Sequence, residues 1–179
     1  MNWNETTLKN NLISATETCL TLATSVPDTA FFDNSNGKWS IAENLMHLDV
    51  SAKRLAGAMS LSKADLIAKF GTATKPSRAY EDIPTIYYAT ANQRAIVAPP
   101  AFSALQTAET TRTSVVEGYS KAHAFLVAAL ANFTDEELEK CQIPHPLLGL
   151  LTVREMIYFT VFHIGHHQKA VDRIVEKVA

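Results

Sequence analysis

The chain has 179 residues, of which 47% are hydrophobic and 19% charged, and its formal net charge is −2 at pH 7. This composition provides one hydrophobic core and excludes general disorder, which combines low hydrophobicity with high net charge. Because there is no basic excess, nucleic-acid binding is excluded as the main activity. Since neither a signal peptide nor a membrane-spanning stretch is recognisable, we expect a cytoplasmic protein with one domain over residues 1–179 and no membrane partner.

Two amphipathic helices are predicted in the first third of the chain. The first ends by Pro27, and its hydrophobic residues recur at steps of three and four, on one face: Leu8, Leu12, Ala15, Cys19 and Leu22. The second begins at a capping box formed by Ser40 and Glu43, whose side chains satisfy free backbone N–H groups of the first turn. Its hydrophobic stripe comprises Ile41, Leu45, Leu48, Ala52, Leu55 and Met59.

Two further long helices are predicted in the second half. The third follows Pro99 and Pro100, with Leu105, Ala108, Val115, Tyr119, Ala122, Leu126 and Ala129 on its inner face. The fourth begins at a capping box formed by Thr152 and Glu155 and runs to the C-terminus through Met156, Ile174 and Val178. Shorter helical pieces are predicted from Ser62 to near Gly71, and from a third capping box at Thr134.

Two connections lack a helical period. The segment from Gly71 to Pro100 is predicted to be a long loop wrapped over the helices, and the segment from Cys141 to Leu151 a second loop. No run of alternating residues indicates a sheet. Four amphipathic helices joined with at least one long connection predict an all-α protein with the architecture of a four-helix bundle.

Three of the six histidines lie close together in the last helix. His163 and His167 are four residues apart, so they share one helix face and can present two imidazoles to one metal ion. The glutamate of a zinc-protease motif is replaced by Ile164, which excludes that reaction. A helical wheel places His163 and His167 on the core stripe and His166 on a cationic face, so we expect His166 to be exposed. From these residues alone, metal binding and hydrogen bonding within the core are equal alternatives.

A third ligand would have to come from another helix. His47 lies in the second helix, but the wheel places it to the side of the hydrophobic stripe, among Asn44, Ser51 and Arg54. Periodicity therefore favours a polar histidine at the edge of the helix. It is also compatible with a position that lines a cleft.

Both histidine-bearing helices resemble those of the DinB-like family of damage-inducible helical bundles. The second helix reads Lys-Trp-Ser-Ile-Ala-Glu-Asn-Leu-Met-His from Lys38 to His47, similar to the Trp-Ser/Thr…Glu…His pattern of that family. The last helix has the family's Thr-x-x-Glu start at Thr152, followed by His-Ile-Gly-His-His from His163 to His167. Ala170 stands where the family usually has Gln. The resemblance extends in helix order over nearly the whole chain.

The resemblance implies an up-down-down-up bundle with a long crossover connection, a homodimer, and a divalent metal held by His47, His163 and His167. Three imidazoles leave an open coordination position, as in catalytic zinc sites, and suit Zn or Ni among other metals. The family further implies a thiol S-transferase or a hydrolase with a small-molecule substrate, such as a low-molecular-weight thiol. One alternative is a non-catalytic bundle that binds a small molecule or a protein partner, with or without metal. Another is a stress protein with vestigial histidines.

Other polar residues have simpler explanations. Glu43 is explained by its capping box, although it lies one turn before His47. His123 is expected in the core or at a helix edge. His145 is expected either to cover a site or to be solvated. The remaining candidates are expected to serve in packing or to be inert: Tyr87, Tyr88, Cys19 and Cys141.

Overall fold

The computed structural model describes residues 3–35, 37–94, 102–103 and 105–178. Its helices are α1 (Glu5–Thr24), α2 (Asp28–Phe31), α3 (Ile41–Met59), α4 (Lys63–Phe70), α5 (Asp82–Arg94), α6 (Arg112–Leu130), α7 (Asp135–Lys140) and α8 (Val153–Val178). Its strands are β1 (Gln142–His145) and β2 (Gly149–Thr152). The prediction of an all-α protein is confirmed, apart from this one small hairpin.

The four long helices α1, α3, α6 and α8 form a bundle. Helix α3 packs mainly on α6 and also on α8, while α1 packs mainly on α8 and also on α6. Hydrophobic residues from all four helices form one continuous buried cluster between them. None of the described helices is long and apolar enough to cross a membrane.

Contacts between helices fix their relative directions. Helix α1 is antiparallel to α6. Arg112, at the start of α6, bonds to Thr24 at the end of α1, while Tyr119, further along α6, bonds to Thr16, further back in α1. Helix α3 is antiparallel to α8, because His47 contacts His163 and Asn44 contacts His167. Helices α1 and α8 are parallel, since Trp3 meets Tyr158 at one end and Cys19 lies near Asp172 further along. The order is therefore up-down-down-up, and the parallel pair α3 and α6 requires the long crossover between them.

The predicted capping boxes are present and fix three helix starts. Ser40 and Glu43 each bond to the other's backbone N–H at 3.1 and 2.9 Å, and the box at Thr134 has the same pattern. At the start of α8, the backbone N–H of Thr152 donates to Glu155 and that of Glu155 donates to Thr152 Oγ1. An Ncap of this kind contributes about 1 kcal/mol.

The predicted start of the third long helix is wrong. Helix α6 begins at Arg112, after an unrecognised capping box between Thr111 and Ser114, so Leu105 and Ala108 precede the helix. The hydrophobic period continues upstream of Thr111. The helix nevertheless begins at Arg112, because the Thr111 side chain accepts from the backbone N–H of Ser114 and so caps the first turn there. Pro99 and Pro100 lie outside the described residues.

Both segments predicted to be loops contain regular structure. The long connection includes α5, a helix that packs on α8. The second loop is an antiparallel hairpin in which Gln142 pairs with Thr152 and His145 with Gly149. The positive φ of Gly149, 75°, suits a residue without a side chain at this turn. Helix α5 packs on Phe159, Phe162 and His166 of α8 through its two tyrosines, and His145 of the hairpin packs on Phe159.

A network of ion pairs, whose buried members are Glu155 and Arg154, joins the crossover and α7 to the start of α8. Glu155 bonds to the Arg78 side chain and backbone N–H. Burial opposes ionisation of Glu155, but the hydrogen bonds from Arg78 and Thr152 outweigh it and lower the pKa of the carboxyl. Arg154 similarly pairs with Glu139 and Asp135. These contacts hold the crossover and α7 against the start of α8.

Candidate metal centre

Three histidines from two helices converge at one point in the bundle. Nε2 of His163 lies 3.1 Å from Nε2 of His47 and 3.1 Å from Nε2 of His167. One nitrogen of each ring lies within 4.8 Å of those of the other two. His163 and His167 are one turn apart on α8, as the spacing predicts, and α3 brings His47 across to them.

The outer nitrogens of two rings are held by acceptors. His47 Nδ1 lies 2.6 Å from the backbone oxygen of Phe102, and His167 Nδ1 lies 2.7 Å from Oδ1 of Asn44. A carbonyl oxygen can only accept, so each Nδ1 carries the proton. In the neutral rings, Nε2 of His47 and Nε2 of His167 therefore carry no proton, and each has a lone pair next to His163 Nε2.

This arrangement fits a metal ion better than it fits hydrogen bonding alone. His163 Nε2 has at most one proton, so it cannot form a full hydrogen bond to both neighbouring lone pairs at once. A buried acceptor without a partner costs about 1–3 kcal/mol. One tetrahedral ion with metal–nitrogen distances of about 2.0–2.1 Å would use all three lone pairs and place the nitrogens about 3.3 Å apart. The observed distances of 3.1 Å are close to that spacing.

The protonation states also suit metal ligation. The side chains are only 6% (His47), 7% (His163) and 9% (His167) exposed. Burial lowers the pKa of His47 and, more strongly, the pKa values of His163 and His167, which the neighbouring imidazoles lower further. All three rings are therefore neutral at pH 7, as ligation requires. That they bind a metal stays a prediction at this point.

Aromatic rings fix the positions of the imidazoles. The Trp39 ring stacks on His167 with centroids 6.0 Å apart and tilts against His47 at 5.1 Å. The Phe159 ring stacks on His163 at 5.0 Å. Since rings packed in this way cannot rotate freely, the three nitrogens are pre-organised before any ligand binds.

The histidines open into a large cavity between the bundle, the hairpin and α5. Its volume is about 690 Å³, enough for a small organic molecule. Its walls are mostly aromatic and aliphatic, including Phe70, Tyr87, Ile143, Leu147 and Phe159. The described residues that line it include no carboxylate, while Arg54 lies at its border with its guanidinium over the Phe102 ring.

Glu43 and His123 do not belong to the cluster. Glu43 is occupied by the capping box and by the amide of Asn34, which confirms the interpretation as a cap. His123 is 2% exposed, as expected of a core histidine, and its Nδ1 contacts the Tyr119 carbonyl at 2.8 Å. It also borders the cavity, and among the described residues its Nε2 has no partner.

The prediction that His166 is exposed is wrong. The ring is half-buried and borders the cavity, with its Nδ1 3.0 Å from the Tyr88 hydroxyl. Burial lowers its pKa, and Lys169 and Arg173 lower it further. Helix α5 causes this burial, because Tyr87 and Tyr88 cover a face of α8 that a wheel of α8 alone leaves open to solvent.

Several residues of the site have no signal in the sequence pattern. Asn44 and Phe102 hold the outer nitrogens of His167 and His47, and the hairpin forms one wall of the cavity. For Asn44 the available signal was its position three residues before His47, since a polar residue about one helical turn from a suspected ligand can lie beside the same site. His145 covers the cavity rather than being solvated. Cys19 and Cys141 are buried, and burial raises the pKa values of both thiols, in agreement with the expectation that they serve in packing.

Comparison with known proteins agrees with the geometry. No match to this chain was found among curated proteins or solved structures. The model of the DinB superfamily matches residues 12–171, a region that contains all four long helices in large part and all three clustered histidines. The chain therefore belongs to the DinB superfamily.

Proposed function

We propose that this protein is a divalent-metal-dependent enzyme of the thiol S-transferase or hydrolase type, with the metal held by His47, His163 and His167. The observation that carries this proposal is the convergence of three neutral imidazole nitrogens on one side of an apolar cavity. A divalent ion bound there supplies Lewis acidity, which lowers the pKa of a coordinated thiol or water toward neutrality. Imidazole donors suit several metals, of which we propose Zn or Ni.

The charge balance of the cavity supports an anionic ligand such as a thiolate. All three imidazoles are neutral, and the described lining residues include no carboxylate. The double positive charge of an ion would therefore remain uncompensated in apolar surroundings, which is unfavourable unless an anion pairs with it. A structural site, in contrast, would be closed by a fourth protein ligand.

The cavity walls can bind the second reactant. Tyr87, Leu147 and Phe159 present apolar surface next to the histidines, and this surface suits an electrophile with an apolar body and excludes water around it. In S-transfer, the thiol sulfur forms a bond to the electrophilic carbon while the leaving group departs with the bonding electron pair. The thiol proton passes to solvent or to the leaving group. In hydrolysis, water takes the place of the thiol.

Metal content tests the proposal first. Untagged protein purified without a nickel column should contain about one metal per chain by mass spectrometry, and the His163→Ala variant should contain none. The loaded protein should then consume an apolar electrophile faster with a small thiol present than without it. A chain without metal that is also not stabilised by added Zn or Ni would refute the metal-dependent function.

The second candidate is a non-catalytic bundle that binds a small molecule in the same cavity. The largely apolar walls of the cavity favour it independently of the metal. Binding of apolar molecules without any turnover in the metal-loaded protein would support this alternative. The homodimer and the cytoplasmic location stay predictions.

A further inference from the structure

His145 lies on the hairpin wall of the cavity. One edge of its ring accepts hydrogen bonds from the turn of the hairpin. It ends β1 between Pro144 and Pro146, and its ring borders the same cavity as the three clustered histidines. The ring packs on Phe159 with centroids 4.2 Å apart, and Phe159 in turn stacks on His163. His145 is therefore a neighbour of the candidate metal centre without being part of it.

Two backbone donors fix the tautomer of this ring. The N–H groups of Leu147 and Leu148 lie 3.1 and 3.0 Å from Nδ1 of His145. Because both groups can only donate, Nδ1 is the acceptor and the proton of the neutral ring is on Nε2. Burial lowers the pKa of His145 to about 4, so the ring is neutral at pH 7.

The Nε2–H group is a hydrogen-bond donor that the fold leaves without a partner among the described residues. Two hydroxyls of the cavity wall are already occupied, since Ser51 and Thr160 donate to backbone carbonyls of their own helices at 2.9 and 2.8 Å. His123 also has an Nε2 without a partner among the described residues, but its Nδ1 donates to the Tyr119 carbonyl, so this Nε2 can only accept. A fixed, neutral donor on an apolar wall orients a ligand by its acceptor atom.

We infer that His145 binds the occupant of the cavity, donating its Nε2–H to a carbonyl-type oxygen on a molecule with an apolar body. This assigns the substrate class of the proposed site, and it rests on the proposal that the cavity binds a small molecule, but not on the presence of the metal. In the S-transfer reaction, such a donor would hold the electrophile by its carbonyl group beside the histidine cluster.

A purely structural role is the competing explanation, and one substitution separates the two. In His145→Asn, the amide oxygen occupies about the position of Nδ1 and can accept from Leu147 and Leu148, so the turn is retained. The Nε2–H donor is lost. His166→Asn is the matched control, because His166 is also a half-buried histidine bordering the cavity but bonds to Tyr88.

The test compares acetophenone with ethylbenzene, in which a methylene group replaces the carbonyl, each titrated by NMR into the full-length protein. In His145→Asn, acetophenone should bind about three- to tenfold more weakly than in the wild type, the effect of one net hydrogen bond. Ethylbenzene should bind within about twofold of the wild type. In His166→Asn, the ratio of the two affinities should not change.

A second measurement does not depend on any variant. In wild-type protein labelled with ¹⁵N-histidine, long-range ¹H–¹⁵N spectra should show His145 protonated at Nε2 only, and acetophenone should shift this resonance more than ethylbenzene does. Protonation at Nδ1, or equal effects of both probes, would overturn the assignment of His145 while leaving the proposed function intact. If neither probe binds to the wild-type cavity, the assignment of His145 fails, whereas the metal-dependent function is decided separately by metal content.

Discussion

Replacing His163 by Leu removes the central histidine of the cluster, a proposed metal ligand, while keeping a side chain of similar size in the core. At a free metal concentration 100 times its dissociation constant, the wild type should gain about 2.7 kcal/mol of stability. For a chain of this size, 1 kcal/mol shifts Tm by about 2–4 °C, so the expected increase is about 5–11 °C. If His163→Leu weakens binding about 100-fold, the same metal concentration adds about 0.4 kcal/mol and shifts Tm by only about 1–2 °C.

Thermal melts followed by circular dichroism, on metal-free protein with and without added Zn or Ni, measure this difference. His166→Ala is the control, because His166 borders the cavity but lies outside the cluster, and it should keep nearly the full increase. The reasoning would be refuted by an increase in His163→Leu equal to that of the wild type. It would also be refuted if His166→Ala lost the increase, since the ligand set would then include His166.

Three further predictions concern residues around the site. Asn44→Ala removes the acceptor for His167 Nδ1–H and should weaken metal affinity about 10–100-fold in a competition titration. Asn44→Asp keeps an acceptor and should largely retain the wild-type affinity. Equal metal affinities of Asn44→Ala and the wild type would contradict the orienting role. Glu155→Gln should cost about 1–3 kcal/mol in urea unfolding at pH 7. Because the pKa of Glu155 is lowered in the folded state, its contribution to the free energy of unfolding is present above the unfolded-state pKa and is lost as pH falls through the folded-state pKa. The free energies of unfolding of the wild type and the variant should therefore converge in acid. A constant difference between them down to pH 3 would be inconsistent with this ion pair. Burial raises the pKa of Cys19 to about 11, so native protein should resist iodoacetamide at pH 8 at this position, and rapid labelling without unfolding would show that the thiol is accessible.

Local sequence signals determined several helix starts. Ser40, Thr134 and Thr152 each cap a helix through contacts within four residues, so the amino-acid pattern was sufficient to predict them. Helix α5 was not predicted, because its apolar residues do not form a stripe along one face. The hairpin was not predicted either, since its strands have four residues each, β1 contains Pro144, and pairing depends on a turn rather than on a periodic pattern.

The candidate site divides in the same way. The sequence by itself determined that His163 and His167 share the inner face of one helix, because their spacing equals about one helical turn. It did not determine that His47 points at them, since a helical wheel describes one helix and the rotation of α3 against α8 depends on packing in the whole bundle. Only the tertiary structure brought Asn44, Phe102 and His145 to the site, because their contacts join segments distant in sequence. The same packing buried His166 beneath α5, whose position on α8 no local pattern specifies.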